Sequence, residues 1–130
     1  MDMLLDALLA WIGEHSAYDV SGIAPPDVVQ MSPAALTAEY YTGVAHLIPD
    51  GGVDVRLNAL YAANDGAGGT IYILRATEIA GADRFDDPTA NPLWREILLH
   101  ELVHHVQWRT GEAASWACPA MGEKAAYHLG

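Results

Sequence analysis

Apolar residues recur at helical spacing through residues 2–16 (DMLLDALLAWIGEHS), where Met3, Leu4, Leu8, Trp11 and Ile12 predict an amphipathic helix. Pro25-Pro26 then imposes extended chain, and Val28, Val29 and Met31 predict a short strand. Ser32-Pro33 places an N-cap before a proline at the first helical position, so a second helix is expected to run to Tyr41 and end at Gly43. Gly51-Gly52 marks a turn. From Val53 to Leu74 the pattern becomes that of a β-hairpin: VRLNALYAA and TIYIL are strand-forming, and NDGAGG between them supplies glycines for the turn. Residues 75–90 read as a polar connection. A third helix is expected from Asp87-Pro88 or from Asn91-Pro92 through Thr110, with Gly111 just past its end. Leu98, Leu102, Val103 and Val106 would bury it against the rest of the protein. A last helix should start near Cys118-Pro119 and carry Glu123 and Tyr127. No repeat or linker interrupts this order, so a single domain over residues 1–130 is expected, of α+β class, with a small twisted sheet and N-terminal backing helices.

Composition narrows the function classes. Hydrophobic residues make up 52% of the chain and charged residues 18%, which excludes a disordered chain. At 130 residues the chain can bury one core without disulfides, and Cys118, the only cysteine, can form none within it. Six scattered basic residues against 17 acidic ones give a formal charge of −11, a surface that repels phosphate backbones, so no nucleic-acid partner is expected. Asp2, Asp6 and Glu14 break up the only long apolar stretch before it reaches the ~18–20 residues of a membrane span. The same stretch lacks the basic segment of a secretory signal, so a cytoplasmic location is the default expectation.

The third helix contains His100-Glu101-Leu102-Val103-His104, the pattern H-E-x-x-H. Residues i and i+4 lie on one helix face a turn apart, so both imidazoles can reach a single cation. Glu101 can stand beside that cation without binding it and take a proton from a metal-bound water. A catalytic zinc site normally has three protein ligands and one open position. The metzincin continuation would need Gly at 107 and His at 110, where this chain has Gln107 and Thr110, so that class is excluded.

Glu123 follows His104 with eighteen residues between them. Here the sequence resembles the gluzincins, zincin metallopeptidases whose third ligand is a glutamate on the next helix, some at this same interval. EKAAY, which begins at Glu123, is similar to the small-residue-rich start of their glutamate helix. Asn58-Ala59-Leu60-Tyr61 resembles the Asn-Ala-x-aromatic segment with which some of them hold an extended substrate on an edge strand. The likeness is closest to minimal, single-domain gluzincins and small uncharacterised bacterial HExxH proteins. It implies a zincin-like domain with an active-site helix and a glutamate helix, Zn2+ held by His100, His104 and Glu123, Glu101 as general base, and a peptide or protein substrate. Only seven residues follow Glu123, where such enzymes usually carry a lower subdomain. The expected cleft is therefore shallow and suited to unstructured chains.

Tyr127 lies one turn after Glu123, where it could hydrogen-bond a ligand or a developing oxyanion, or simply pack in the core. His105 projects about 100° from His104 and is expected to pack or to face solvent. His15, His46 and His128 lack partner spacing, and Cys118 is expected to cap or pack. The alternative to an enzyme is a latent or non-catalytic zinc-binding module of the same fold. Glu101 speaks against the non-catalytic module, because a structural site needs no base and usually closes with four protein ligands, whereas a latent enzyme stays open because the cleft is expected to be shallow.

Overall fold

A computed structural model describes residues 1–111; the expected last helix, with Cys118, Glu123, Tyr127 and His128, lies outside the described residues. The first helix, α1 (Asp2–His15), buries Leu5, Leu9 and Ile12, with Leu4, Leu8 and Trp11 half-buried beside them. Met3 departs from the expected stripe and is 87% exposed, because it sits about 160° around the helix from Leu5. After the prolines, β1 (Asp27–Met31) forms as expected. Ser32 then caps α2 (Pro33–Tyr40), its hydroxyl accepting the Ala35 N–H at 3.2 Å.

The hairpin forms between β2 (Ala59–Ala62) and β3 (Thr70–Leu74), which pair antiparallel from Ala59↔Ile73 to Ala62↔Thr70. Its first strand is shorter than VRLNALYAA because Asp54 draws residues 54–57 into a turn. The Asp54 carboxylate accepts the Arg56 N–H at 3.1 Å, and its carbonyl accepts the Leu57 N–H at 3.1 Å. In the connection between the strands Gly69 has φ +92°, and a Cβ there would collide with the Tyr61 hydroxyl, so only glycine fits.

β1 pairs in parallel with β3, Asp27↔Thr70 through Met31↔Leu74, so the sheet is mixed, with order β1-β3-β2. The central strand is buried at Ile71 and Ile73 and also at Thr70 and Leu74, which means both of its faces are covered.

The connection over residues 75–90 is more structured than a polar loop. It makes three 3-10 turns, Ala76–Glu78, Ala82–Arg84 and Pro88–Ala90, and buries Ala76 and Ile79. Both Asx-Pro signals are used: Asp87 caps the last of these turns and Asn91 caps α3 (Pro92–Arg109), accepting the Leu93 N–H at 3.1 Å. Gly111 follows α3 with φ +79°, as expected of a residue past a helix end. Leu98, Leu102, Val103 and Val106 are fully buried, with Trp94 at the start of the same face, and α3 lies against β2, β3 and α1. Helices around a small mixed sheet make this an α+β fold. No helix among the described residues is long and apolar enough to cross a membrane.

The Trp94 indole N–H donates to the Leu74 carbonyl at 2.9 Å, tying the head of α3 to the end of the central strand. Trp94→Phe keeps most of the apolar bulk but removes the donor from a buried acceptor. It should destabilise the fold by about 1–3 kcal/mol, read as a lower urea midpoint with an unchanged slope.

Candidate functional site

The face of α3 opposite its core stripe carries the motif. His100 and His104 are one turn apart, their rings edge to face with centroids 5.0 Å apart, and both are half-buried. Glu101 is also half-buried. A cleft of about 430 Å3 opens beside them. Glu96, His100 and Glu101 line it from α3, and Arg56, Asn58 and Ala59 from the turn leading into β2. His104 is not part of the cleft lining; it reaches the site through its neighbour His100.

The two adjacent histidines of α3 have different surroundings. The Nδ1–H of His104 donates to Gln107 Oε1 at 3.0 Å, and Gln107 is itself fully buried. An imidazole that donates from Nδ1 carries its lone pair on Nε2, the protonation a metal ligand needs. His105 points the other way and has no exposure. Tyr61 O–H donates to its Nδ1 at 2.9 Å, and its Nε2–H donates to the Ala24 carbonyl at 2.8 Å. Burial pushes its pKa below the ordinary value, which suits a neutral ring with both nitrogens used. Of the two roles open to His105, the structure gives it packing. The Tyr61 phenol is pushed up by the same burial, partly offset by Arg109. One turn further on, Arg109 donates to the Ala63 carbonyl at 3.0 Å. α3 is thereby stitched to the edge of β2 and to the loop beyond it.

On the opposite side of the cleft Arg56 is held by Asp54. Its Nε donates to Oδ1 at 3.0 Å and its Nη2 to Oδ2 at 2.8 Å, while Tyr41 O–H donates to the same Oδ2 at 2.8 Å. The Asp54 N–H in turn donates to Thr37 Oγ1 at 2.9 Å. Bidentate pairing with Arg56 first, and Tyr41 second, hold the Asp54 carboxyl well below the usual carboxylate range.

The His100 and His104 rings lie together, and His100 and Glu101 line the cleft that Asn58-Ala59 also borders. Glu123 and Tyr127 lie outside the described residues, and among those residues no three His, Cys, Asp or Glu side chains gather as a metal-binding group. His15 stacks on Trp11 within α1, with ring centroids 4.3 Å apart, away from the motif. From sequence alone Gln107 has no role beside His104, and none falls to Tyr18, whose hydroxyl accepts the Gln107 amide N–H at 3.2 Å. The available signal was the i, i+3 spacing of His104 and Gln107.

The family model described as "Domain of unknown function (DUF6647)" matches residues 1–130, the whole chain. The chain belongs to the DUF6647 family. No curated protein and no solved structure matches it.

Because the folded-state pKa of Asp54 is lowered, its contribution to stability is present above the unfolded value of ~3.9 and is lost as pH falls through the lower native value. Urea midpoints measured from pH 7 down to pH 2 should fall below about pH 4. Asp54→Asn should be less stable at pH 7 and show a smaller acid-induced drop.

Proposed function

We propose that this chain is a zinc-dependent hydrolase of the gluzincin type that cleaves unstructured peptide segments. The observation that carries the proposal is the pairing of His100 and His104 on one face of α3, rings 5.0 Å apart, with Glu101 beside them on an open cleft. The donor set suits zinc. Two imidazoles lie one turn apart with their rings 5.0 Å from each other, and the Nδ1–H···Oε1 bond from His104 to Gln107 leaves its Nε2 as the basic nitrogen. His100, His104 and Glu123 would hold the ion. When bound, zinc supplies a Lewis acid that polarises the scissile carbonyl and lowers the pKa of water at the site toward ~7.

The protein's own groups do the rest. Glu101 lines the cleft, where it can take the proton of the attacking water and pass it to the leaving amine. Asn58 and Ala59 border the same cleft where β2 begins, and among the described residues no further strand pairs with β2. An extended peptide could therefore run along that edge with its carbonyl near Glu101. Tyr127, one turn beyond Glu123 in sequence, would serve as a hydrogen-bond donor to the developing oxyanion.

Metal analysis of the purified protein should give one zinc per chain. Glu123→Ala should weaken zinc binding by more than the ~10–100-fold that outer-shell partners contribute. An unchanged affinity would remove Glu123 from the ligand set and the gluzincin assignment with it.

Glu101→Gln keeps shape and polarity but removes the base. It should retain zinc and fold while hydrolysis of a mixture of unstructured peptides falls by ~10²-fold or more. Firm zinc binding with no cleavage by the wild type would instead favour the latent or non-catalytic module.

A further inference from the structure

We propose that Gln107, anchored by Tyr18, is the positioning residue that holds His104 as the Nδ1–H tautomer with Nε2 presented for a metal. The metal part of this inference rests on the function proposed above; the tautomer part stands on geometry alone.

Gln107 is an amide with no exposure to solvent, on a helix turn otherwise filled by Val103 and Val106. Burying a primary amide is costly unless its hydrogen bonds are made. Here Oε1 accepts from His104 Nδ1 at 3.0 Å and Nε2 donates to the Tyr18 hydroxyl oxygen at 3.2 Å, so the amide bridges the motif to a residue 89 positions upstream. In this arrangement the amide oxygen faces the imidazole and the amide nitrogen faces the phenol. With the oxygen toward the imidazole, the ring nitrogen facing it must carry the proton.

Tyr18 is well placed for this role because its own backbone is pinned. Ser16 Oγ donates to the Ile12 carbonyl at 2.6 Å and accepts the Tyr18 N–H at 3.1 Å, so the chain leaving α1 is locked where Tyr18 departs from it. Six residues later the same connection offers the Ala24 carbonyl to His105. The segment between α1 and β1 thus grips α3 at two places, Gln107 and His105, immediately beyond the second motif histidine. A helix residue three positions after His104 lies on its side of the helix, which is why an amide reaches the ring here. An apolar residue at 107 would satisfy the core equally well but would leave the ring's tautomer and tilt unspecified.

The test uses the full chain and two readouts. The first is the tautomer of His104 in metal-free protein near pH 8, from long-range 15N–1H spectra of the imidazoles. Wild type should show Nδ1–H, and Gln107→Leu should shift toward Nε2–H while Gln107→Glu, whose carboxylate can accept the same bond, keeps Nδ1–H. An Nε2–H ring in the wild type would mean that the amide is turned round, and would overturn the proposal. The second readout is zinc affinity by chelator competition. Gln107→Leu should bind ~10–100-fold more weakly, the scale of outer-shell partners, with Gln107→Glu within a few-fold of wild type and Tyr18→Phe between the two. Equal zinc affinity in wild type and Gln107→Leu would sink the positioning role even if the enzyme is active. A wild type that binds no zinc at all would instead defeat the proposed function, and the tautomer spectra would still decide whether Gln107 locks the ring. Circular dichroism of each variant checks folding; Tyr18→Phe, which removes one oxygen, keeps both readouts accessible should Gln107→Leu not fold.

Discussion

The rotation of α3 about its own axis decides which of its residues enter the core and which line the cleft. One helix has to bury one face in the core and present the opposite one to a cleft, and a rotation of one residue, about 100°, would already take both out of place. Apolar burial of Trp94, Leu98, Leu102 and Val106 sets the rotation coarsely, since a greasy surface tolerates sliding. His105 sets it finely. Both of its nitrogens are used inside the core, by Tyr61 on β2 and by the Ala24 carbonyl before β1, and neither bond survives a turned or shifted helix. A buried imidazole whose partners lie on two other elements acts as a register mark for the helix that carries it.

His104 and His105 show how environment divides labour between identical side chains. They are adjacent in sequence, yet His105 is fully enclosed and His104, the second motif histidine, is half-buried. Burial depresses the pKa of His105 and removes its reason to be charged. His104 has its Nδ1–H on the amide oxygen of Gln107, so its lone pair is on Nε2. The connection between α1 and β1 supports both, through Ala24 and Tyr18, so a segment with no motif of its own stiffens the motif helix from behind.

The cleft also carries charge in an ordered way. On a chain of formal charge −11, Arg56 is one of six basic residues, and it is tethered at the cleft by both oxygens of Asp54. Tyr41 and Thr37, at and near the end of α2, hold Asp54 in turn. The second helix thereby shapes the approach to β2 through polar contacts, although its apolar contribution to the core is small.

Much of this was legible in the sequence because it depends on neighbours along the chain. Proline and Asx or Ser pairs marked the starts of α2 and α3, glycines marked Gly69 and Gly111, and the alternation of apolar residues marked the hairpin and the buried stripe of α3. The i, i+4 pair His100 and His104 needs only helical geometry to be recognised, and their rings do lie one turn apart on α3. What depends on distant residues was not legible in the sequence. The parallel pairing of β1 with β3 brings together strands separated by α2 and the whole first half of the hairpin. The shortening of β2 came from Asp54 competing for local backbone groups, and the burial of residues 75–90 from Ala76 and Ile79 reaching a core that their own segment does not reveal. Gln107 served the sequence only to exclude one class of zinc site. That its amide faces His104 on one side and Tyr18 on the other was decided by tertiary structure alone, because a hydrogen bond spanning 89 residues leaves no periodicity to read.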